Sequence, residues 1–168
     1  MNSQTAQVDD LQLVSMPSAV SCANLFVRFT LTEWSLRPLV EEAGRAVSRF
    51  VSAVVDRADP REPGFLTVRL RLSGEYLIVE VEDDQSPASA AAPVMEGRRT
   101  GVERVAGTGR LVWCELPLPP GTSATDVRLP RRSERRRSLV TEQMRGEPVE
   151  VDPRLVERIL TGLSRTGD

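Results

Sequence analysis

Residues 76–87 read Tyr-Leu-Ile-Val-Glu-Val-Glu-Asp-Asp-Gln-Ser-Pro, an apolar strand that runs into acidic residues and a turn. Leu77, Val79 and Val81 alternate with Ile78, Glu80 and Glu82, the period of a strand with one buried and one partly solvated face. Asp83 and Asp84 stand where the strand enters Gln85-Ser86-Pro87, so a carboxylate is presented at a rigid strand end, a favourable place to hold a ligand group. An acidic strand end running into a proline turn carries the same residues with no ligand at all. The neighbouring segments decide between the two.

Immediately upstream, Leu66, Val68, Leu70 and Leu72 alternate with Thr67, Arg69 and Arg71, and Ser73-Gly74-Glu75 returns the chain, so residues 65–83 are predicted to form a hairpin. Before it, Asp59-Pro60-Arg61-Glu62-Pro63-Gly64 breaks a helix that starts near Leu36 and Pro38 and buries Leu39, Val40, Ala43, Val47, Phe50, Val51 and Val54. Its opposite face carries Glu41, Arg45, Ser48, Arg49 and Ser52, with Glu42 at the boundary. An earlier helix, opened by Pro17, runs to about Trp34 on Val20, Ala23, Phe26, Val27 and Leu31. Asp10 to Met16 is expected to be a short edge strand. Downstream, Ala88 to Pro93 is a small-residue loop, Val102 to Ala106 a short turn of helix, Gly107-Thr108-Gly109 a tight turn, and Arg110 to Leu118 a last strand. This order predicts a two-layer α/β sandwich, a mixed and mostly antiparallel sheet covered on one face by helices.

What is missing narrows the chemistry. The 168 residues contain no His, which excludes Ser-His-Asp and Cys-His catalysis, His-ligated metals and a phospho-acceptor His. All 22 basic residues are Arg, so a P-loop Lys, a Schiff base and a protein-kinase catalytic Lys are excluded too. At 40% hydrophobic and 27% charged residues the composition is that of a soluble globular chain. No apolar run reaches membrane-spanning length and Met1 to Asp10 does not read as a signal peptide, so a cytoplasmic location is expected. Cys22 and Cys114 fall in apolar periodic segments and are expected to be buried free thiols.

Four segments together resemble the histidine-kinase-like ATPase domain (GHKL superfamily), in particular the small anti-sigma-factor serine kinases and related ATP-binding regulatory proteins of actinobacteria. The helix from Pro17 to Trp34 looks like the family's first helix, and Val40-Glu41-Glu42-Ala43 looks like the helix bearing its Glu-x-x-x-Asn motif. Val79 to Pro87 resembles the strand ending in the adenine-reading Asp, and Gly109 to Leu118, with Trp113 and Leu116, resembles the closing strand. The resemblance covers residues 10 to 118. It implies that Glu42 matches the catalytic Glu and that Ala46 stands where the family's Asn holds Mg²⁺. It implies further that Asp84 matches the adenine-binding Asp, with Ser86 and Ala88 at glycine positions. Gly97 or Gly101, with Val102, would be what remains of a second glycine box; Gly107 and Gly109 follow it. ATP binding is therefore expected to be weakened or lost and Mg²⁺ to lack a ligand.

The resemblance implies a regulatory protein that binds a sigma factor or an anti-anti-sigma protein, with a homodimer possible. The alternative is an active serine/threonine kinase with Glu42 as base and Asp84 on adenine. Whether the chain is an enzyme stays open, with Ala46, Ser86, Ala88 and the shortened second box against it.

The domain organisation follows: residues 1–118 form the ATPase-like domain, 119–150 a flexible linker and 151–168 a short amphipathic helix on Leu155, Val156, Ile159, Leu160 and Leu163. Residues 128–137 hold six Arg against Glu134, a local balance of +5 on a chain of net charge −2, which leaves −7 for the remainder. Such an arm suits phosphate contact with nucleic acid or an acidic partner, or remains a solvated linker, and no aromatic residue interleaves with it for base stacking. Ser133 and Ser138 follow consecutive arginines and would suit a basophilic kinase.

Overall fold

The computed structural model describes residues 5–84, 91, 93–105, 107 and 109–127, all within one compact unit, Met1–Leu129. Ser86, Ala88, the arginine-rich stretch, Ser133, Ser138 and the expected C-terminal helix lie outside the described residues. The elements are β1 (Thr5–Val14), α1 (Ser18–Glu33), a single 3₁₀ turn (Arg37–Leu39), α2 (Val40–Val55), β2 (Phe65–Ser73), β3 (Tyr76–Asp83), β4 (Arg99–Arg104) and β5 (Arg110–Pro117). The strands form one sheet in the order β1-β2-β3-β5-β4, and every pairing is antiparallel. Both helices pack against the sheet, so the architecture is the expected two-layer sandwich. Among the described residues, no helix is long and apolar enough to cross a membrane.

Strand alternation decides which residues meet the helices. Leu66, Val68, Leu70 and Leu72 of β2, Leu77, Val79 and Val81 of β3, and Val112, Cys114 and Leu116 of β5 are buried in one cluster with Ala43, Ala46, Val47, Phe50, Val51 and Val54 of α2 and Ala23, Val27 and Leu31 of α1. The opposite register positions carry charge. Glu80, only 5% exposed, accepts from Arg71 at 2.7 Å and from Arg69 at 3.4 Å, and Arg69 also reaches Glu82 at 3.4 Å. The sheet thus has one apolar face and one face tied by guanidinium forks.

The turns follow from local chemistry. Gly74, with φ +59°, is the first of two loop residues between β2 and β3, where a type II′ hairpin turn needs glycine. α1 ends in a Schellman motif: Ser35 N–H donates to Thr32 O and Leu36 N–H to Leu31 O at 2.7 Å, while Leu31 and Leu36 are both buried. Ser35 takes the left-handed conformation there, φ +58°.

Three expectations are corrected. The short helix around Val102 to Ala106 is instead the edge strand β4 through Arg104, whose half-buried Thr100 and Val102 pair with Cys114 and Val112. With Val102 as its only sizeable inward side chain, the alternation was too short to read as a strand. Cys22 is exposed, because it lies past the edge of the α1 stripe; only Cys114 is buried. The packed chain also continues past Leu118: Leu118 N–H donates to Glu75 O, Ala124 N–H to Gly74 O, and Leu118, Ala124 and Val127 are buried.

Gly101 pairs with Trp113, and a Cβ built on it would lie 2.4 Å from Cε2 and Cζ2 of the indole. Gly101→Val is therefore expected to force the indole away and destabilise the protein by about 1–3 kcal/mol. Ser35→Gly should do the opposite, adding about 0.5–1 kcal/mol by relieving the left-handed backbone. Urea denaturation of both variants checks the pair, and equal midpoints for both and the wild type would refute the packing and capping arguments together.

Candidate functional site

Glu42 sits in the first turn of α2, half-buried, and is bound by Arg98, whose Nε donates to Glu42 Oε1. That hydrogen bond, then the Glu42 charge, raise the Arg98 guanidinium above its ordinary pKa. Arg98 comes from a strap, residues 93–98, that crosses α2. Its turn is closed by Arg98 N–H donating to Met95 O at 3.1 Å, with Gly97 at the third position and φ +70°, as a type II turn requires. Met95 is buried in the core, and Arg49 of α2 donates from Nη1 to Val94 O at 2.5 Å. The strap is held by an apolar anchor between two arginine contacts.

Ala46, one turn beyond Glu42, is completely buried in the same cluster as Met95. It offers no oxygen to a cation. Among the described residues no group of three or more His, Cys, Asp or Glu side chains is placed to hold a metal ion.

At the end of β3 the two aspartates separate. Asp84 is exposed, whereas Asp83 shares the inward face with Val79 and Val81 and is 3% exposed. Its register partner on β5 is Arg110, 1% exposed. Burial and then the nearby positive charge of Arg57 push the Arg110 guanidinium below its ordinary pKa, and the Asp83 charge acts the other way. The inward carboxylate is thus Asp83, a residue that sequence reasoning passed over in favour of Asp84 because of the spacing to Ser86 and Ala88. The alternation of Leu77, Val79 and Val81 was the signal that pointed to it.

The expected glycines gather on the β4–β5 hairpin. Gly101 lies against Trp113, Gly107 (φ +91°) is in the connection, and Gly109 O accepts from Val105 N–H at 3.1 Å. A Cβ on Gly109 would lie 3.3 Å from Asp83 O, so the hairpin closes tightly over the β3 end. Glu42 belongs instead to the strap and the helix layer. With Arg49, Met95 and Glu96 of that layer, Glu42 lines an open groove of about 1080 Å³ between α1 and α2 that Asn24, Leu25, Arg28, Arg45 and Ser48 also border. Asn24 Nδ2 donates to Ser48 Oγ at 2.7 Å and to Val20 O at 2.9 Å, joining the two helices.

No protein-family model matches this chain, and no curated protein matches it.

Cys114 lies on the inward face of β5, and its thiol is pushed up to about 11 by burial and then by the Glu42 charge, with Arg98 opposing. At pH 8 roughly one molecule in a thousand then carries the thiolate, the reactive form. Ellman's reagent should therefore modify Cys22 alone in the native protein and both cysteines in guanidinium chloride. Arg98→Ala, which removes the opposing positive charge and leaves the Glu42 charge in place, should push the Cys114 thiol higher and so should not speed its modification. Equal rates for both thiols in the native wild type would refute the burial of Cys114 in the core.

Proposed function

We propose that this chain is a cytoplasmic regulatory protein built on a degenerate histidine-kinase-like ATPase scaffold, which works by binding a protein partner, a sigma factor or an anti-anti-sigma protein. The observation that carries this reading is the Arg98–Glu42 ion pair, with Met95 and Ala46 both buried in the core. Phosphoryl transfer needs a carboxylate free to orient the nucleophile, an oxygen ligand for Mg²⁺ and donors around the phosphates, all positioned together. Here the carboxylate is engaged by a guanidinium and the ligand position is a buried methyl group. The inward carboxylate at the strand end faces Arg110 across the β3–β5 register, where an adenine amino group would otherwise be the donor. The glycines of the resemblance serve strand and turn geometry on the hairpin.

The resemblance is supported by the order of elements, a strand, two helices and a hairpin, and by the two carboxylates at the start of α2 and the end of β3. It is through these that the sigma-factor or anti-anti-sigma partner enters. ATP and Mg²⁺ have no part in the proposed action.

Titration calorimetry of ATP and ADP into the protein, with and without Mg²⁺, tests the reading, with Asp83→Asn and Glu42→Gln as controls. The expected result is no saturable heat up to millimolar nucleotide. Micromolar, Mg²⁺-dependent binding abolished by Asp83→Asn would overturn the proposal and restore the kinase alternative. Affinity purification from growing cells tests the partner: enrichment of neither a sigma factor nor an anti-anti-sigma protein would count against it.

A further inference from the structure

β1 is the longest described strand and one of the two edges of the sheet: Thr5–Val14 pairs with β2 along one side, and among the described residues no strand lies along the other. Open edges are ordinarily kept short, charged or bent, because their unpaired N–H and C=O groups are a template for another strand. β4, the opposite edge, is of that kind, with six residues of which Arg99, Glu103 and Arg104 are charged. β1 is not. It has ten residues with no proline or glycine, and its irregularity lies at Thr5/Gln7, so residues 8–14 run regular. Val8 and Val14, on the sheet face away from the helices, are 43% and 40% exposed, and Leu11 and Leu13 on the helix side are only half-buried.

The spacing of these residues is self-complementary. Two copies related by a two-fold axis pair β1 antiparallel, and facing residues share a sheet face only when the axis passes through a residue. With Leu11 on the axis, Val8 faces Val14 of the second copy at both ends, Leu11 faces Leu11, Asp10 faces Gln12 and Asp9 faces Leu13. No carboxylate then meets another. One residue back, Asp10 would face Asp10 and Val8 would face Gln12; one residue on, Val14 would face Asp10.

α1 adds to the same side. It packs over β1 and beside α2, to which Asn24 holds it through Ser48 Oγ. At 100° per residue Phe26 and Phe29 fall on the far side of α1 from Asn24, toward the open edge. Phe29 is 59% exposed and Phe26 half-buried. We infer that the β1 edge docks a second copy of this chain, antiparallel and centred on Leu11. The two five-stranded sheets continue as one of ten strands, and Phe26 and Phe29 of both copies close over the seam on the helix side. Assembly of this kind is independent of the protein partner proposed above.

Sedimentation equilibrium of the full chain over a concentration series tests it. The wild type is expected to form a dimer with a dissociation constant of about 10 μM or below. Val8→Glu with Val14→Glu sets carboxylates face to face at both ends and should weaken the dimer about tenfold or more. Val8→Arg with Val14→Glu replaces the same two side chains but sets opposite charges face to face in this register, and should dimerise within about threefold of the wild type. Phe29→Ser should weaken the dimer about fivefold or more. Val94→Glu, a new charge at a side chain 71% exposed on the strap, should change it less than about twofold. Circular dichroism checks that each variant is folded.

A wild type that stays monomeric up to about 200 μM would overturn the inference and leave the edge to a strand of another protein. So would a Val8→Glu with Val14→Glu variant that dimerises as the wild type does, a charge-swapped variant no stronger than that one, or an equal loss from Val94→Glu. An unchanged constant in Phe29→Ser would overturn the part given to α1.

Discussion

The contact between α2 and the central strands of the sheet is the constraint on which the described unit depends. Ala43, Ala46 and Val47 are fully buried against an apolar face that β2, β3 and β5 build from alternate residues. Close approach demands small side chains in the first turns of α2 and permits Phe50 further along. An amide at position 46 would be enclosed in apolar surroundings and would cost about 1–3 kcal/mol unless it found a partner. The packing of the core and the absence of a metal ligand at Ala46 are thus one fact. Met95 adds to it, since the strap contributes an apolar side chain to the same cluster.

Charge is arranged by the same logic. With every basic residue an Arg, each buried or half-buried carboxylate has a planar, multidentate donor available. Glu80 lies between Arg69 and Arg71 on the sheet face away from the helices, and removal of either arginine would leave a nearly buried carboxylate short of donors. Arg99–Glu115 is different: Arg99 is 74% exposed, and a pair of that kind contributes at most about 1 kcal/mol. The Arg98–Glu42 pair lies between these cases and fastens a loop to a helix. The charges that would serve chemistry are engaged in holding the structure together.

The sandwich was legible in the sequence because its signals were long: four alternating apolar residues in β2, three in β3, and two helical stripes of sixteen-residue elements. The position of β3 at the middle of the sheet agrees with its nearly continuous burial, the helices on one face and the arginines of β2 on Glu80 on the other. β4 was not legible because what makes it a strand is tertiary, the indole of Trp113 lying on Gly101. A glycine inside a short polar segment reads as a turn until the ring that needs its bare backbone is known. Spacing placed Glu42 correctly on α2 but carried no information about Arg98, 56 residues away. At the β3 end the two carboxylates divide, because one residue reverses a strand's face: Asp83 is inside and Asp84 outside.

An enzyme site holds its dipoles and charges ready for a group that is not yet present, and stays strained or solvated until that group arrives. In this chain the charges at the start of α2 are engaged, Glu42 with Arg98 and Arg49 with the Val94 carbonyl, while Asp83 at the β3 end stands in register with Arg110. A ligand there would have to break those contacts before making its own, so the affinity it gains is only the difference. Arg28 and Arg45, which line the same groove as Glu42, are exposed and form no ion pair among the described residues, and Leu25 beside them is exposed too. Binding free energy is available where a protein has not already spent its interactions on itself, and at the start of α2 Glu42, Arg98 and Arg49 already have.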